Sequence, residues 1–111
     1  MTRNALGEFE HLILLGVLRL GDQAYGVSII DELEGRTGRE VSQAATYIGL
    51  KRLRDKGLLA SRLADPSPER GERARRYFTV TDSGIERLRE SAAALLSMWE
   101  GLDPKLKERI G

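Results

Sequence analysis

The chain has 111 residues, of which 41% are hydrophobic, and this length and composition fit a single globular domain. It has no cysteine and one histidine, His11, which excludes disulfides, thiolate metal sites and zinc sites built on a histidine pair, and no cofactor is expected. The longest apolar run, residues 12–18, is shorter than the ~20 residues that span a bilayer, and no export signal opens the chain. We therefore expect a soluble cytoplasmic protein without a membrane partner.

The net charge of +1 conceals a basic segment in the middle of the chain. Residues 36–80 hold eleven basic and five acidic side chains, a net charge of +6, whereas residues 1–35 carry −4 and residues 81–111 carry −1. A segregated basic segment is typical of a surface that binds a polyanion such as DNA. A solvated arginine-rich surface without a partner explains the charge equally well, so composition alone leaves both interpretations open.

Apolar residues at helical spacing predict a first helix that ends at Gly21, with a buried stripe formed by Phe9, Leu12, Ile13, Gly16, Val17 and Leu20. Leu14, Leu15 and Leu18 lie outside this stripe, so the helix is apolar around most of its circumference. We expect a second subunit to cover part of it.

Two further helices are predicted, the second over about residues 25–36 and the third after a glycine-containing linker. Ser42 is a favourable N-cap for the third helix, and Gly57 is typical of the residue that follows a helix end. The buried stripe of this helix is predicted to contain Thr46, Gly49 or Leu50, and Leu53. Two helices joined by a short linker that contains glycine indicate a helix-turn-helix.

A β-hairpin and a last long helix follow. Residues 58–64 and 75–80 are predicted strands, separated by the turn-rich segment 65–72. Thr81 caps the next helix, whose apolar residues alternate by three and four, as in a helix that packs along another helix. These residues are Ile85, Leu88, Ala92, Leu95, Trp99 and Leu102. A short terminal helix is predicted to start at Asp103-Pro104.

The order of helix, helix, helix, strand, strand, helix predicts a mainly α fold with a small β-hairpin (α+β), a winged helix-turn-helix. Residues 1–80 would form the DNA-binding domain, and residues 81–111 a dimerisation helix with a short tail. In this fold the third helix is the recognition helix, which enters the major groove, and the hairpin is the wing.

The recognition helix would present Ser42, Gln43, Tyr47 and Lys51 to DNA, since its N-terminal half faces the bases. Each has an alternative role: Ser42 as a cap only, Gln43 and Lys51 in solvent, and Tyr47 packed against the wing. The wing offers the predicted phosphate contacts Arg73, Arg75 and Arg76. Strand alternation sends Arg75 and Arg76 to opposite sides, so at most one of the two follows the pleat towards DNA.

Motifs of catalysis are missing from the sequence, which has no GxSxG, GxxxxGK[ST] or GxGxxG and no set of nucleophile and base, so we expect no enzyme. His11 lies among apolar residues and is predicted to pack. Trp99 lies on the apolar stripe of the last helix, where packing is the main interpretation and ligand stacking the alternative. The leading hypothesis is a DNA-binding regulator, and its rival is a winged-helix module that binds an acidic protein partner.

Six stretches of the chain carry a resemblance to a known family. They are Leu6-Gly7-Glu8, Ala24-Tyr25-Gly26, Tyr47 with Leu50 and Leu53, Lys56-Gly57-Leu58-Leu59, Arg73-Ala74-Arg75-Arg76-Tyr77-Phe78 and Thr81-Asp82-Ser83-Gly84. In this order and spacing the sequence resembles the PadR family of bacterial transcriptional regulators, over about residues 5–90, and its length resembles the compact branch with one C-terminal helix.

The resemblance implies a homodimer that binds an inverted-repeat operator in double-stranded DNA, usually as a repressor. The subunits would meet through Leu14, Leu18, Leu88, Ala92, Leu95 and Trp99. A flat aromatic effector between the subunits is a further implication, with Trp99 and Leu95 as its expected contacts. Thr46 stands where the family usually has a larger aliphatic residue, which predicts a looser recognition helix. Ala74 stands where proline is common, which predicts a more mobile wing.

Overall fold

The predicted order of elements is confirmed in a computed structural model of the chain, which describes residues 5–66 and 74–110. The helices are α1 (Glu8–Leu20), α2 (Gly26–Thr37), α3 (Gln43–Asp55), α4 (Asp82–Trp99) and α5 (Pro104–Ile110), and the strands are β1 (Leu59–Ala64) and β2 (Arg75–Val80). The fold is therefore the mainly α winged helix with one hairpin. Within the described residues, no helix is long and apolar enough to cross a membrane.

The ends of α3 follow from the residues that flank it. Before the helix, the Ser42 hydroxyl accepts a hydrogen bond of 3.1 Å from the Ala45 N–H, which satisfies an early helical donor. After the helix, Gly57 adopts φ +78°, a left-handed conformation that favours glycine, and the chain turns directly into β1. Both predicted boundaries are confirmed.

The hairpin joins the helices through a third extended segment. β1 and β2 are antiparallel, with Leu59 opposite Val80 and Arg62 opposite Tyr77. Tyr25, just before α2, forms an isolated bridge to Tyr77, and the Phe78 N–H donates to the Ala24 carbonyl at 2.8 Å. The side of the hairpin that carries Phe78 covers the core, and the other side carries Tyr77 and Arg62.

The core surrounds α1, which contacts α2, α3, β2 and α4. This arrangement corrects the prediction that Leu14 lies at a dimer interface, because Leu14 is 0% exposed within the protomer. Leu88 was also expected at the interface, but it is 6% exposed and belongs to the same core cluster. The circumference of α1 is apolar because four elements of its own protomer cover most of it.

An ion-pair cluster on the surface connects α1 to α2. Glu32 accepts hydrogen bonds from Arg36 at 2.9 Å and from Arg19 of α1 at 3.1 Å. The hydrogen bond from Arg36 is the main cause that lowers the pKa of Glu32, and the bond from Arg19 lowers it further. Glu32 therefore stays ionised at neutral pH and links α1 to α2.

The last long helix ends earlier than the sequence predicts. Its cap at Thr81 is confirmed, since the Thr81 hydroxyl accepts from the Gly84 N–H at 3.1 Å. The helix stops at Trp99, because Glu100 is extended and Gly101 has φ +83°. Leu102 therefore lies beyond the helix and does not extend its apolar stripe, which corrects the prediction.

Candidate nucleic-acid interface

One face of α3 packs on the core, and the opposite face is exposed. The buried residues of α3 are Thr46, Gly49, Leu50 and Leu53. With about 100° of rotation per residue, the direction opposite this stripe is occupied by Ala44, Ile48, Lys51 and Asp55. Gln43 and Tyr47 lie beside them, and all six are exposed. The structure thus brings the predicted contacts Gln43, Tyr47 and Lys51 onto one surface, with Ser42 at its N-terminal end.

Ser42 and Thr46 stabilise the first turn of this surface. The Ser42 carbonyl accepts a hydrogen bond of 2.8 Å from the Thr46 hydroxyl, in addition to the cap that the Ser42 side chain forms. Thr46 is fully buried, and this bond satisfies its polar group. Ser42 therefore has a structural role at the N-terminus of α3, the alternative that the sequence left open for it.

Tyr47 packs against the start of α2. A Cβ atom built on Gly26 would collide with the Tyr47 hydroxyl and ring, so only glycine leaves room for the tyrosine there. The ring is nevertheless half exposed on the outward surface of α3. Gly26 thus fixes where Tyr47 can lie.

Lys51 is paired on the protein surface. Its ammonium group donates to the Asp55 carboxylate at 2.9 Å, one helical turn away, and both side chains are exposed. The hydrogen bond from Lys51 is the main cause that lowers the pKa of Asp55, helped by the positive charges of Lys51 and Arg54. Because an exposed pair contributes little to stability, Lys51 can exchange this carboxylate for a phosphate or a guanine at small cost.

The wing arginines lie on two different faces, as strand alternation predicts. Arg73 lies outside the described residues. Arg75 places its guanidinium 3.8 Å from the ring centroid of Tyr25. Arg76 points to the other face, where it donates to the Ser61 hydroxyl at 2.9 Å.

A set of stacked side chains extends from Arg75 across the outer face of the hairpin. The rings of Tyr25 and Tyr77 meet edge to face, with centroids 5.7 Å apart, and the Arg62 guanidinium lies 4.7 Å from the Tyr77 centroid. Cation–π contacts of this kind orient a guanidinium without neutralising its charge. The outer face of the hairpin therefore carries two oriented positive charges, those of Arg62 and Arg75.

Sequence reasoning missed three residues of this surface: Ile48, Arg62 and Tyr25 as a partner of Arg75. Ile48 could have been found from its position, since it falls opposite the buried stripe of α3. To predict the contacts of Arg62 and Tyr25, one must know the strand register and the bridge between residues 25 and 77. The sequence has no short turn of fixed length that would set this register.

The expected effector contacts do not share a cavity in the protomer. A groove of 670 Å³ between α1 and α4 is lined by Leu95, together with His11, Leu12, Leu15 and Ser91. Trp99 lines a separate, shallower depression of α4 with Leu96. His11 packs as predicted and shares a hydrogen bond of 2.8 Å with the Ser91 hydroxyl, which links α1 to α4.

The remaining predicted interface residues lie on the outside of the protomer. Leu18 and Leu95 are exposed, and Ala92 and Trp99 are half-buried. Among the described residues, no group of acidic or histidine side chains is arranged to hold a metal ion.

Comparison with known proteins gives consistent matches. The model of a family described as the transcriptional regulator PadR-like family matches residues 14–90. A PadR family regulator from Eggerthella lenta is 29% identical with a TM-score of 0.67, over 85% of this chain and 81% of that chain. Bacillus subtilis PadR, solved in complex with operator DNA, is 26% identical with a TM-score of 0.62, over 74% of this chain and 46% of that chain.

A PadR family regulator from Clostridium difficile shares the fold, with a TM-score of 0.69 at 18% identity, over 93% of this chain and 99% of that chain. No curated protein matches the chain.

Proposed function

Because the chain belongs to the PadR-like family of transcriptional regulators, we propose that it is a cytoplasmic, homodimeric repressor that binds an inverted-repeat operator in double-stranded DNA. The observation that carries the proposal is the exposed surface of α3, where Gln43, Tyr47 and Lys51 lie at successive turns, with Lys51 opposite the core and Gln43 and Tyr47 beside it. A helix that presents polar and basic side chains on one exposed face suits the major groove. The operator bound to Bacillus subtilis PadR supports the same class of ligand.

The roles on α3 follow from chemistry and position. Gln43 can form two hydrogen bonds with an adenine edge, and Lys51 can bind guanine or a phosphate. Tyr47 contacts a phosphate or a thymine methyl from the place that Gly26 leaves for it. We assign Ser42 to the helix cap and to a contact near the N-terminus of α3, where the helix dipole favours a phosphate.

The wing supplies a contact with a DNA phosphate, and this contact is independent of the base sequence of the DNA. Of Arg75 and Arg76, we assign the contact to Arg75, because Tyr25 orients its guanidinium and no described carboxylate pairs with it. Arg73 stays a predicted contact. We further propose the division into a DNA-binding domain, residues 1–80, and a dimerisation helix with its tail, residues 81–111.

The proposal extends to a flat aromatic effector that binds between the two subunits. The groove beside Leu95 supports this role, since it is largely apolar and opens on the surface where α4 is exposed. An effector that changes the angle between the subunits would alter the spacing of the two recognition helices, which must match half-sites about 34–36 Å apart. Quenching of Trp99 fluorescence by flat aromatic compounds tests this step.

The binding experiment measures fluorescence anisotropy of a labelled duplex from the protein's own upstream region, against a scrambled duplex, over a series of salt concentrations. We expect a preference for the upstream duplex and a logarithmic affinity that falls by ~0.9 per phosphate neutralised. Lys51→Ala should lower this slope or the affinity. Arg36→Ala is a matched control, because Arg36 is another exposed basic residue that forms an ion pair with a carboxylate one helical turn away.

The alternative function, a module that binds an acidic protein partner, makes a different prediction for the same experiment. It predicts that the protein has equal affinity for the two duplexes. It also predicts that Lys51→Ala changes the affinity for either duplex no more than Arg36→Ala does. Sedimentation of the protein with and without the duplex shows in parallel whether the binding species is a dimer.

A further inference from the structure

The apolar centre of the exposed face of α3 carries an inference that rests on the proposed function and specifies it further. Ile48 is 58% exposed, although it lies opposite the buried stripe of α3, where solvent-facing residues are expected to be polar. Ala44 precedes it by one turn, so the two side chains form one apolar strip. Lys51 and Asp55 continue the same face in the C-terminal direction.

Two physical preferences act against isoleucine at this position. A branched side chain has a lower helix propensity than alanine, lysine or glutamate. Its apolar surface also gains nothing from contact with water. Since neither the helix nor the core requires Ile48, its side chain is better explained by a contact outside the protomer.

The surroundings of Ile48 limit what this contact can be. Gln43 and Tyr47 lie on one side of the strip and Lys51 lies at its C-terminal end, and all three side chains have groups that suit DNA. In the major groove, the base edges present one methyl group, the C5-methyl of thymine, and apolar side chains recognise it. A protein partner with a large apolar surface would instead have to accept the charges of Lys51, Arg52 and Asp55.

We propose that Ile48, together with Ala44, is a specificity-determining element that recognises thymine methyl groups in each half-site. Gln43 and Lys51 then determine the neighbouring bases through hydrogen bonds, while Ile48 selects thymine over cytosine at its position. Each half-site therefore contains thymine at the base pairs under the first two turns of α3.

The test uses a binding site selected from a random duplex library, so that no operator has to be assumed. Each thymine of the selected half-site is replaced in turn by deoxyuridine, which keeps base pairing and removes only the methyl group. With the wild-type protein, we expect one or two positions per half-site at which the substitution weakens binding about fourfold, the effect of withdrawing one methyl-sized group from apolar contact. With Ile48→Ala, the position that Ile48 contacts should lose this effect, whereas a position that Ala44 contacts should keep it.

The matched control is Val27→Ala, which shortens another exposed branched residue on a different helix and should leave the response to deoxyuridine unchanged. The inference is overturned if no deoxyuridine position weakens binding of the wild type, or if the loss persists at every such position in Ile48→Ala. Both results leave the proposed function intact. Failure to select any site from the library contradicts the proposed function itself, and the inference fails with it.

Discussion

At the scale of single residues, two glycines of this protein are required for different reasons. A side chain at Gly26 would meet the ring of Tyr47, a partly exposed group that can swing into solvent. A side chain at Gly84 would meet the carbonyl of Leu58 and the side chain of Val80, at the junction between β1 and α4. The first neighbour can move without unfolding anything, whereas the second is backbone and cannot. The structure thus separates a glycine that fixes the position of Tyr47 from a glycine needed for folding.

Substitution of each glycine by alanine should show this difference. Gly26→Ala is expected to keep its unfolding free energy within about 1 kcal/mol of the wild type, because Tyr47 moves aside. The affinity of this variant for the selected duplex should fall, because the Tyr47 ring is displaced from its position on the exposed surface of α3. Gly84→Ala should lose about 1–3 kcal/mol, the usual cost of overpacking. Urea unfolding and anisotropy measure the two effects, and equal losses of stability would contradict the distinction.

At the scale of elements, Thr81 connects the end of α3 to the start of α4. Its hydroxyl donates to the Gly57 carbonyl at 2.7 Å and accepts from the Gly84 N–H, and its own N–H donates to the Leu58 carbonyl at 3.1 Å. The end of α3 and the start of α4 are therefore held by one side chain and its backbone. In the proposed dimer, a change in the angle of α4 between the subunits would reach α3 directly through this junction.

Thr81→Ala should lower the free energy of unfolding by about 1 kcal/mol, the typical value of a lost N-cap. Thr81→Ser keeps the hydroxyl and should recover most of that loss. Urea midpoints at one fixed protein concentration measure both variants, because the stability of a dimer depends on concentration. Equal losses in the two variants would show that the threonine methyl, and not the hydroxyl, stabilises the junction.

The elements themselves were predictable because their signals are local. Caps at Ser42 and Thr81, the glycine after α3 and the alternation in β2 each depend on residues a few positions apart. The errors arose where the answer depends on distant parts of the chain. Leu14 is an example. The apolar periodicity of α1 predicts a dimer contact for Leu14, because that periodicity does not reveal the four elements of the same protomer that cover α1.

The end of α4 and the candidate site show the same limit. The apolar spacing from Ile85 to Leu102 continues through Gly101, so periodicity alone extends the helix past the residue that ends it. On α3, the exposed polar residues could be predicted from one helical wheel. The cation–π contact of Arg75 could not, because its partner Tyr25 lies fifty residues away in the chain and reaches it only through the sheet.

At the scale of the whole molecule, the protomer is elongated, with extents of 55 × 35 × 22 Å, and α4 extends from its compact part. The buried residues of α4 are Gly84 and Leu88, both in its first half. Its second half exposes Leu95, Leu96 and Met98. A contiguous apolar surface of this kind is typical of a protein interface. A two-fold homodimer would cover it by placing the same surface of each subunit against the other.

Leu95→Glu tests this arrangement, because a two-fold axis would place the new carboxylate in the interface twice. Each unpaired charge costs several kcal/mol to bury, so the variant should sediment as a monomer at concentrations where the wild type is a dimer. Its α3 surface remains intact, and we expect it to keep weak, salt-dependent binding to any duplex while it loses the preference for an inverted repeat. Gly35→Glu adds the same charge at an open, exposed position of α2 and should leave the dimer unchanged. A Leu95→Glu protein that still sediments as a dimer and still prefers the inverted repeat would place the subunit interface elsewhere and remove α4 from the mechanism.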